Sequence, residues 1–114
     1  MKILVIGGAG YIGSHVVKAL MKCGHEITVF DNLSTGLKQN LFEQNKFIEG
    51  DILDKLTLDS VFSIGFDACI HIAGLKSVYE SMIYPEKYTE TNINGTLNVI
   101  NIAIITATIA PKNG

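Results

Sequence analysis

Arginine and tryptophan are both missing from the 114 residues, and cysteine and proline occur only twice each. Without Arg the chain lacks the side chain best suited to a bidentate grip on phosphate, so an anion bound here would rest on backbone amides, hydroxyls or Lys. Cys23 and Cys69, together with His15, His25 and His71, form no C-x-x-C, H-E-x-x-H or similar ligand spacing, which argues against a metal site. Both cysteines read as small buried or half-buried thiols in a reducing compartment. Basic runs are also missing: the net charge is −2, spread along the sequence, and excludes nucleic acid held through counterion release. The longest apolar stretch, Val99–Ala110, is interrupted by Asn101, Thr106 and Thr108 and is too short to cross a bilayer, so no membrane partner is expected. The opening Ile3–Ile6 run is broken by Gly7, Gly8 and Gly10 with no cleavage site behind it, so it is not a signal peptide and a cytoplasmic location is expected. What is present, 47% hydrophobic and 18% charged residues, is the composition of one soluble globular domain. At this length about two-thirds of the unfolded surface can be buried, enough for one core but not for a two-domain enzyme body.

Ile3–Ile6 is an uninterrupted aliphatic run, the pattern of a strand buried on both faces in a parallel sheet. Ile12, Val16, Val17, Leu20 and Met21 recur at helical spacing, and Gly24 supplies the stop. Ile27–Phe30 and Lys46–Ile48 read as the second and third strands, with a turn and a weak helix in the polar stretch between them. Asp54 can cap a helix carrying Leu58, Val61 and Phe62, and Ala68–Ile72 is the fourth strand. Pro85 fits the first turn of a longer last helix whose apolar positions include Ile93, Leu97, Ile100 and Ile104. Strands alternating with helices in this order imply an α/β fold, a doubly wound parallel sheet of Rossmann-like type with about four parallel strands and flanking helices. Only the N-terminal half of such a fold is expected here.

Gly7, Gly10 and Gly13 form G-x-x-G-x-x-G between the first strand and the first helix. Glycine permits the tight turn, the approach of backbone N–H groups to a pyrophosphate and close helix–strand packing, while the helix N-terminus presents unpaired donors to the anion. Asp31 follows Gly13 by 18 residues at the end of the second strand, close to the offset at which a carboxylate takes the adenosine ribose hydroxyls. Its charge would repel a 2′-phosphate and no Arg can neutralise one, which favours NAD over NADP. The alternative for Asp31 is a strand-end cap. Asp51 and Ile52, after the third strand, suit an adenine amino group and ring face, although Asp51 could equally begin the turn into the next helix.

Taken together, Gly7–His15, Asp31–Ser34, Glu49–Ile52, the His71–Val78 run with Ala-Gly-Leu-Lys-Ser-Val, and Asn92–Thr96 resemble the N-terminal part of the UDP-glucose 4-epimerase family of extended short-chain dehydrogenase/reductases. The likeness runs from Met1 to about Ala103. It implies NAD as cofactor, with Gly7, Gly10, Tyr11, Ile12 and Gly13 at the pyrophosphate, Asp31 and Asn32 at the adenosine ribose, Ser34 in the nearby loop, and Asp51 and Ile52 at the adenine. It also implies that Ile72, Ala73, Gly74 and Lys76 line the cofactor beyond strand four and that Asn92 approaches the nicotinamide side. The plainer readings are a solvated loop lysine for Lys76 and a helix-surface amide for Asn92, while His71 reads as a packed strand residue without chemistry. In this family the sugar of a nucleotide sugar, UDP-glucose or UDP-galactose, is oxidised at C4 to a keto intermediate that turns and is reduced on the other face. A Tyr with Lys four residues later supplies the acid–base chemistry.

None of the tyrosines here, Tyr11, Tyr79, Tyr84 and Tyr88, has Lys at that spacing; Tyr84 and Lys87 are three apart, and Tyr84 reads as packing. Residues 1–114 are therefore expected to form a partial NAD-binding domain without the catalytic and substrate-binding part, inactive alone. The aliphatic stretch from Ile104 onward, uncharged as far as Pro111, has no water-facing side, so it is expected to lie against something else, or to mark a truncated or frame-shifted reading, and it offers a surface for self-association. The competing readings are a non-enzymatic NAD-binding interaction module and a part of another nucleotide-sugar epimerase or dehydratase.

Overall fold

The computed structural model describes residues 1–74 and 78–109. Four parallel strands, β1 (Lys2–Ile6), β2 (Glu26–Asp31), β3 (Lys46–Glu49) and β4 (Ala68–His71), form one sheet in the order β3-β2-β1-β4. Ile3 lies beside Ile27 and Ala68, and Ile6 beside Phe30 and His71, so β1 is central. This explains its unbroken aliphatic run, because alternate residues enter different cores. Ile3 and Val5 join Val17, Ile27 and Val29 under helix α1 (Tyr11–Lys22). Leu4 and Ile6 join Phe30, Leu58, Val61, Phe62 and Val99 on the opposite face, under α2 (Lys55–Phe62) and α5 (Thr96–Ile109). Leu4, Val5 and Ile6 are completely buried, each contributing about 1.5–3 kcal/mol of transfer free energy.

The helix signals read from sequence are met by specific bonds. Gly24, at φ +85°, ends α1 and donates its N–H to the Met21 carbonyl at 3.0 Å. Asp54 caps α2, its carboxylate accepting from the Thr57 N–H at 3.2 Å and the Thr57 hydroxyl at 2.6 Å. These bonds hold the Asp54 pKa below the ordinary carboxylate value, so the cap keeps its charge into mild acid. The stretch after β2 holds a single 3₁₀ turn, Lys38–Asn40, in place of a weak helix.

After β4 the chain forms α3 (Val78–Ile83), which the sequence pattern does not announce, then α4 (Pro85–Tyr88), a π-helical segment over Thr89–Gly95, and α5. Pro85 occupies the first turn of α4 as expected. The apolar positions expected on this helix point the other way: Ile93, Leu97 and Ile100 are each about half exposed, while Gly95 and Val99 are buried and Ile102 and Ala103 pack on the core. The helix is apolar nearly all round, so its periodicity selects no face. The choice is made by contacts distant in sequence, among them a bond from the Asn98 amide Nδ2 to the Ile52 carbonyl at 3.0 Å. The side chains of 104–109, and residues 110–114 entirely, lie outside the described part, and with them the tail expected to lie against a partner.

Two further expectations are corrected. Both cysteines are exposed, Cys23 where α1 ends and Cys69 on β4, which is an edge strand among the described residues. Enough protein still surrounds the Cys69 thiol to push its pKa up to about 11. Tyr84 is exposed at the N-cap of α4, with more than half of its surface open to solvent. Among the described residues, no helix is long and apolar enough to cross a membrane.

Candidate functional site

All four strands run the same way, so the loops after Ile6, Asp31, Glu49 and His71 meet at one edge of the sheet. The first of these loops is shaped by contacts that only glycine allows. Gly7 has φ +91°, and a Cβ there would stand 2.6 Å from the Ala73 nitrogen. A Cβ on Gly13 would run into the Gly7 carbonyl oxygen and come within 2.9 Å of Gly8 Cα. The Gly7 N–H donates to the Phe30 carbonyl at 2.8 Å and the Gly10 N–H to the Gly7 carbonyl at 3.2 Å, folding the turn back on the sheet. Gly10 caps α1 without any side-chain bond, and the first helical turn carries no acidic residue. The amides of Tyr11, Ile12 and Gly13 precede the first intrahelical bond, so the positive end of α1 is left without an internal partner.

Asp31 closes the other side of this loop. It is 9% exposed, and its carboxylate accepts from the Ala9 N–H at 3.1 Å and from the Leu33 N–H at 2.8 Å. The second bond turns the chain sharply and leaves Leu33 at φ +60°. The segment beyond returns to the glycine loop, where the Leu37 N–H and the Asn40 side-chain amide both donate to the Ala9 carbonyl, at 3.0 and 2.8 Å. Gly36 fits between Ala9 and Asp31, since a Cβ on it would lie 3.0 Å from atoms of each. Both polar groups of the Ala9 peptide are thus tied to the segment after β2.

Between these walls lies a cleft of about 60 Å³ that is partly open to solvent. It is lined by Ile6, Gly7 and Gly10 at the end of β1, Phe30, Asp31, Asn32, Ser34 and Thr35 at and after the end of β2, Gly50 and Ile52 after β3, Ile72, Ala73 and Gly74 after β4, and Thr91. It opens into a wider, shallower chamber bordered by Gly10, Tyr11, Ile12, Asn32, Asp51, Lys87, Tyr88 and Thr91. Most of the residues singled out from the sequence therefore converge on one cavity. Gly13 does not line it and acts from beneath, by letting α1 approach the Gly7 carbonyl. Asp51 begins the turn toward α2, one oxygen accepting from the Leu53 N–H at 2.9 Å, while its other oxygen accepts from the Asn32 side-chain amide at 3.2 Å. Asn92 approaches Gly74, its Oδ1 lying 3.2 Å from where a Cβ on that glycine would be. Lys76 lies outside the described residues.

Sequence reasoning missed Thr35, Gly36, Gly50 and Thr91. Gly36 and Gly50 serve shape, a Cβ on Gly50 meeting the Phe30 ring at 2.7 Å, and only the odd placement of single glycines near the motif residues hinted at them. His71 is a packed strand residue, as expected, and it shares a hydrogen bond of 3.0 Å between Nε2 and the Thr96 hydroxyl. Its other ring nitrogen, Nδ1, is buried and has no partner among the described residues. Burial lowers the His71 pKa, so the folded chain resists protonation there while the unfolded chain does not. The resulting loss of stability is absent above the ordinary His pKa of about 6.5 and grows as pH falls below it toward the lowered value. Thermal melts between pH 7.5 and 5.5 are expected to show a smaller acid-side decline in His71→Gln than in the parent chain.

The model of the NAD dependent epimerase/dehydratase family matches residues 3–109. The UDP-glucose 4-epimerase of Haemophilus influenzae is 45% identical in an alignment of 108 positions that covers 88% of this chain and 32% of that protein. The crystal structure of the Brucella ovis UDP-glucose 4-epimerase in complex with NAD superposes with a TM-score of 0.90 at 40% identity, over 94% of this chain and 33% of that one. The Thermotoga maritima UDP-glucose 4-epimerase with UDP-glucose gives 0.88 at 39% identity, over 93% and 35%. The chain thus spans about a third of the length of each of these three proteins. A match to 3–109, on a four-stranded parallel sheet whose glycine turn and Asp31 carboxylate share one cleft, means that this chain belongs to the NAD dependent epimerase/dehydratase family.

Proposed function

We propose that this chain is the NAD-binding portion of a UDP-glucose 4-epimerase, an enzyme that interconverts UDP-glucose and UDP-galactose, with residues 1–114 forming part of its Rossmann-like domain. The observation that carries the reading is the pairing of a Cβ-free cradle at Gly7 and Gly10 with the buried Asp31 carboxylate across one cleft. A dinucleotide fits these residues chemically: the open amides of α1 suit a diphosphate, and a fixed carboxylate suits a pair of ribose hydroxyls.

In this reading Gly7, Gly10, Tyr11, Ile12 and Gly13 form the diphosphate cradle, Gly13 by bringing α1 close and the others at its surface. Asp31 and Asn32 hold the adenosine ribose, with Ser34 beside them. Asp51 and Ile52 bound the adenine, and Ile72, Ala73, Gly74, Lys76 and Asn92 line the path toward the nicotinamide. When bound, NAD takes a hydride from C4 of the sugar and returns it. The chain contains no Tyr with Lys four residues on, so residues 1–114 bind and orient but hold no acid–base pair for the C4 hydroxyl, and they turn over no sugar alone. We place the protein in the cytoplasm, in keeping with two thiols that are both free. Calorimetric titration of the folded chain tests the reading: NAD is expected to bind at least about tenfold more tightly than NADP because Asp31 opposes a further phosphate. A folded sample that gives no heat with NAD overturns it.

A second reading, self-association, is favoured by the half-exposed stripe of Ile93, Leu97 and Ile100 beside an edge strand. Apolar exposure of this kind marks interaction surfaces. The mass in solution is expected to exceed the 12.4 kDa of one chain, and Leu97→Lys is expected to return it to that value in light-scattering chromatography. A parent chain that elutes as a monomer at high concentration removes the idea.

A further inference from the structure

The end of the sheet where the strands begin, opposite the cleft, holds a second cavity. Lys2, Glu26, Thr28, Lys46 and Ile48 stand on three neighbouring strands, and the register puts all five side chains on the face that also carries Leu4, Ile6 and Phe30. On that face α2 is only 8 residues long and ends at Phe62, short of the first residues of the strands. Ile64 and Phe66, from the connection between α2 and β4, border the space that is left. It measures about 310 Å³, is partly open to solvent, and is of a size that holds a small molecule.

Two features set this cavity apart from an ordinary surface hollow. Thr28 is only 7% exposed, yet its hydroxyl has no hydrogen-bond partner among the described residues, whereas buried hydroxyls are almost always bonded. The charges lining the cavity are also unbalanced, with Lys2 and Lys46 against Glu26 alone. Glu26 is engaged with Lys46 in a long pair of 3.9 Å whose side chains are mostly exposed, a contact that contributes little. The Lys2 ammonium has no partner among the described residues. The neighbouring Asp67 does not line the cavity, and its carboxylate accepts from the Lys2 backbone N–H at 2.8 Å. An apolar wall, a buried hydroxyl and one excess positive charge together suit an anion that carries an apolar body.

We propose that this cavity binds a small carboxylate with a compact apolar or aromatic body. The body lies against Ile48, Ile64 and Phe66, and the carboxylate accepts from the Thr28 hydroxyl and pairs with the Lys2 ammonium. The site is at the far end of the strands from the glycine turn and stands or falls independently of the dinucleotide reading.

The test titrates the 114-residue chain with 3-phenylpropionate and with its neutral amide of the same shape, followed by amide chemical shifts. The carboxylate is expected to bind with a Kd of about 1 mM, the affinity a ligand of this size can reach, and to shift the amides at the starts of β1, β2 and β3 and of residues 64–66. The neutral amide is expected to bind about fivefold more weakly or worse. Thr28→Val keeps the side-chain shape and suits a strand, and it is expected to weaken the carboxylate by about tenfold. Lys2→Met is expected to weaken the carboxylate by about threefold and to leave the neutral amide unchanged. No shifts at about 10 mM carboxylate, equal binding of the two compounds, or an unchanged affinity in a folded Thr28→Val variant would each overturn the proposal. Shifts confined to the cleft at the other end of the sheet would do the same.

Discussion

Gly13→Ala is expected to destabilise the chain by about 3 kcal/mol or more and to lower its melting temperature by about 15 °C. The sign is the reverse of what helix propensity gives, since Ala in place of Gly inside a helix ordinarily adds about 1 kcal/mol. Gly13 lies in the first turn of α1, and the added methyl would strike the Gly7 carbonyl oxygen and crowd Gly7 C and Gly8 Cα, all backbone atoms that no rotamer change can move aside. Relief requires α1 to lift from the sheet and withdraw Val17 from Ile3, Val5, Ile27 and Val29. Gly24→Ala is the control. That glycine has φ +85° but nothing within 4 Å of its missing Cβ, so only left-handed strain of about 1–2 kcal/mol is added, far from the cleft. If the two variants melt together, the close approach of α1 to the glycine turn is not what holds this region.

Asp31→Ala is expected to lose both stability and dinucleotide affinity, by separable amounts. Removing the carboxylate leaves the Ala9 and Leu33 amides without acceptors in a buried corner, a loss of about 2–4 kcal/mol in urea unfolding. NAD affinity is expected to fall by about a hundredfold or more, from the loss of charge-assisted bonds to two ribose hydroxyls. Asp31→Asn keeps an oxygen for one of the two amides, so most of the stability should return while affinity stays low. A stability loss with unchanged NAD affinity in the still-folded variant would make Asp31 the strand-end cap that its position alone also allowed.

The parts of the molecule legible in its sequence are those fixed by neighbours along the chain. The alternation of aliphatic runs and helical periods gave the parallel sheet, Asp54 announced its own helix through a bond only three residues away, and G-x-x-G-x-x-G located the turn at which the cleft is built. What stayed hidden depends on contacts between distant segments. Gly36 matters because it slots between Ala9 and Asp31, and Thr91 because the π turn and the Ile52–Gly95 contact orient its helix. Neither has a local signature. The inward face of the last helical stretch has the same origin: Ile93, Leu97 and Ile100 are as apolar as Val99 and Ile102, and the partner that decides between the two stripes is the β3–α2 turn, more than 40 residues earlier, reached through the 46-residue span from Asn98 to Ile52.

The Ala9 peptide is held at both its N–H and its carbonyl by residues that come 22 to 31 positions later. The glycine turn, proposed above to meet the dinucleotide, is accordingly pinned before any ligand arrives. Little rearrangement separates the free form from the occupied one, so encounter rather than loop ordering should govern how fast a dinucleotide is captured. Capture should then proceed in a single kinetic phase whose rate rises in proportion to ligand concentration.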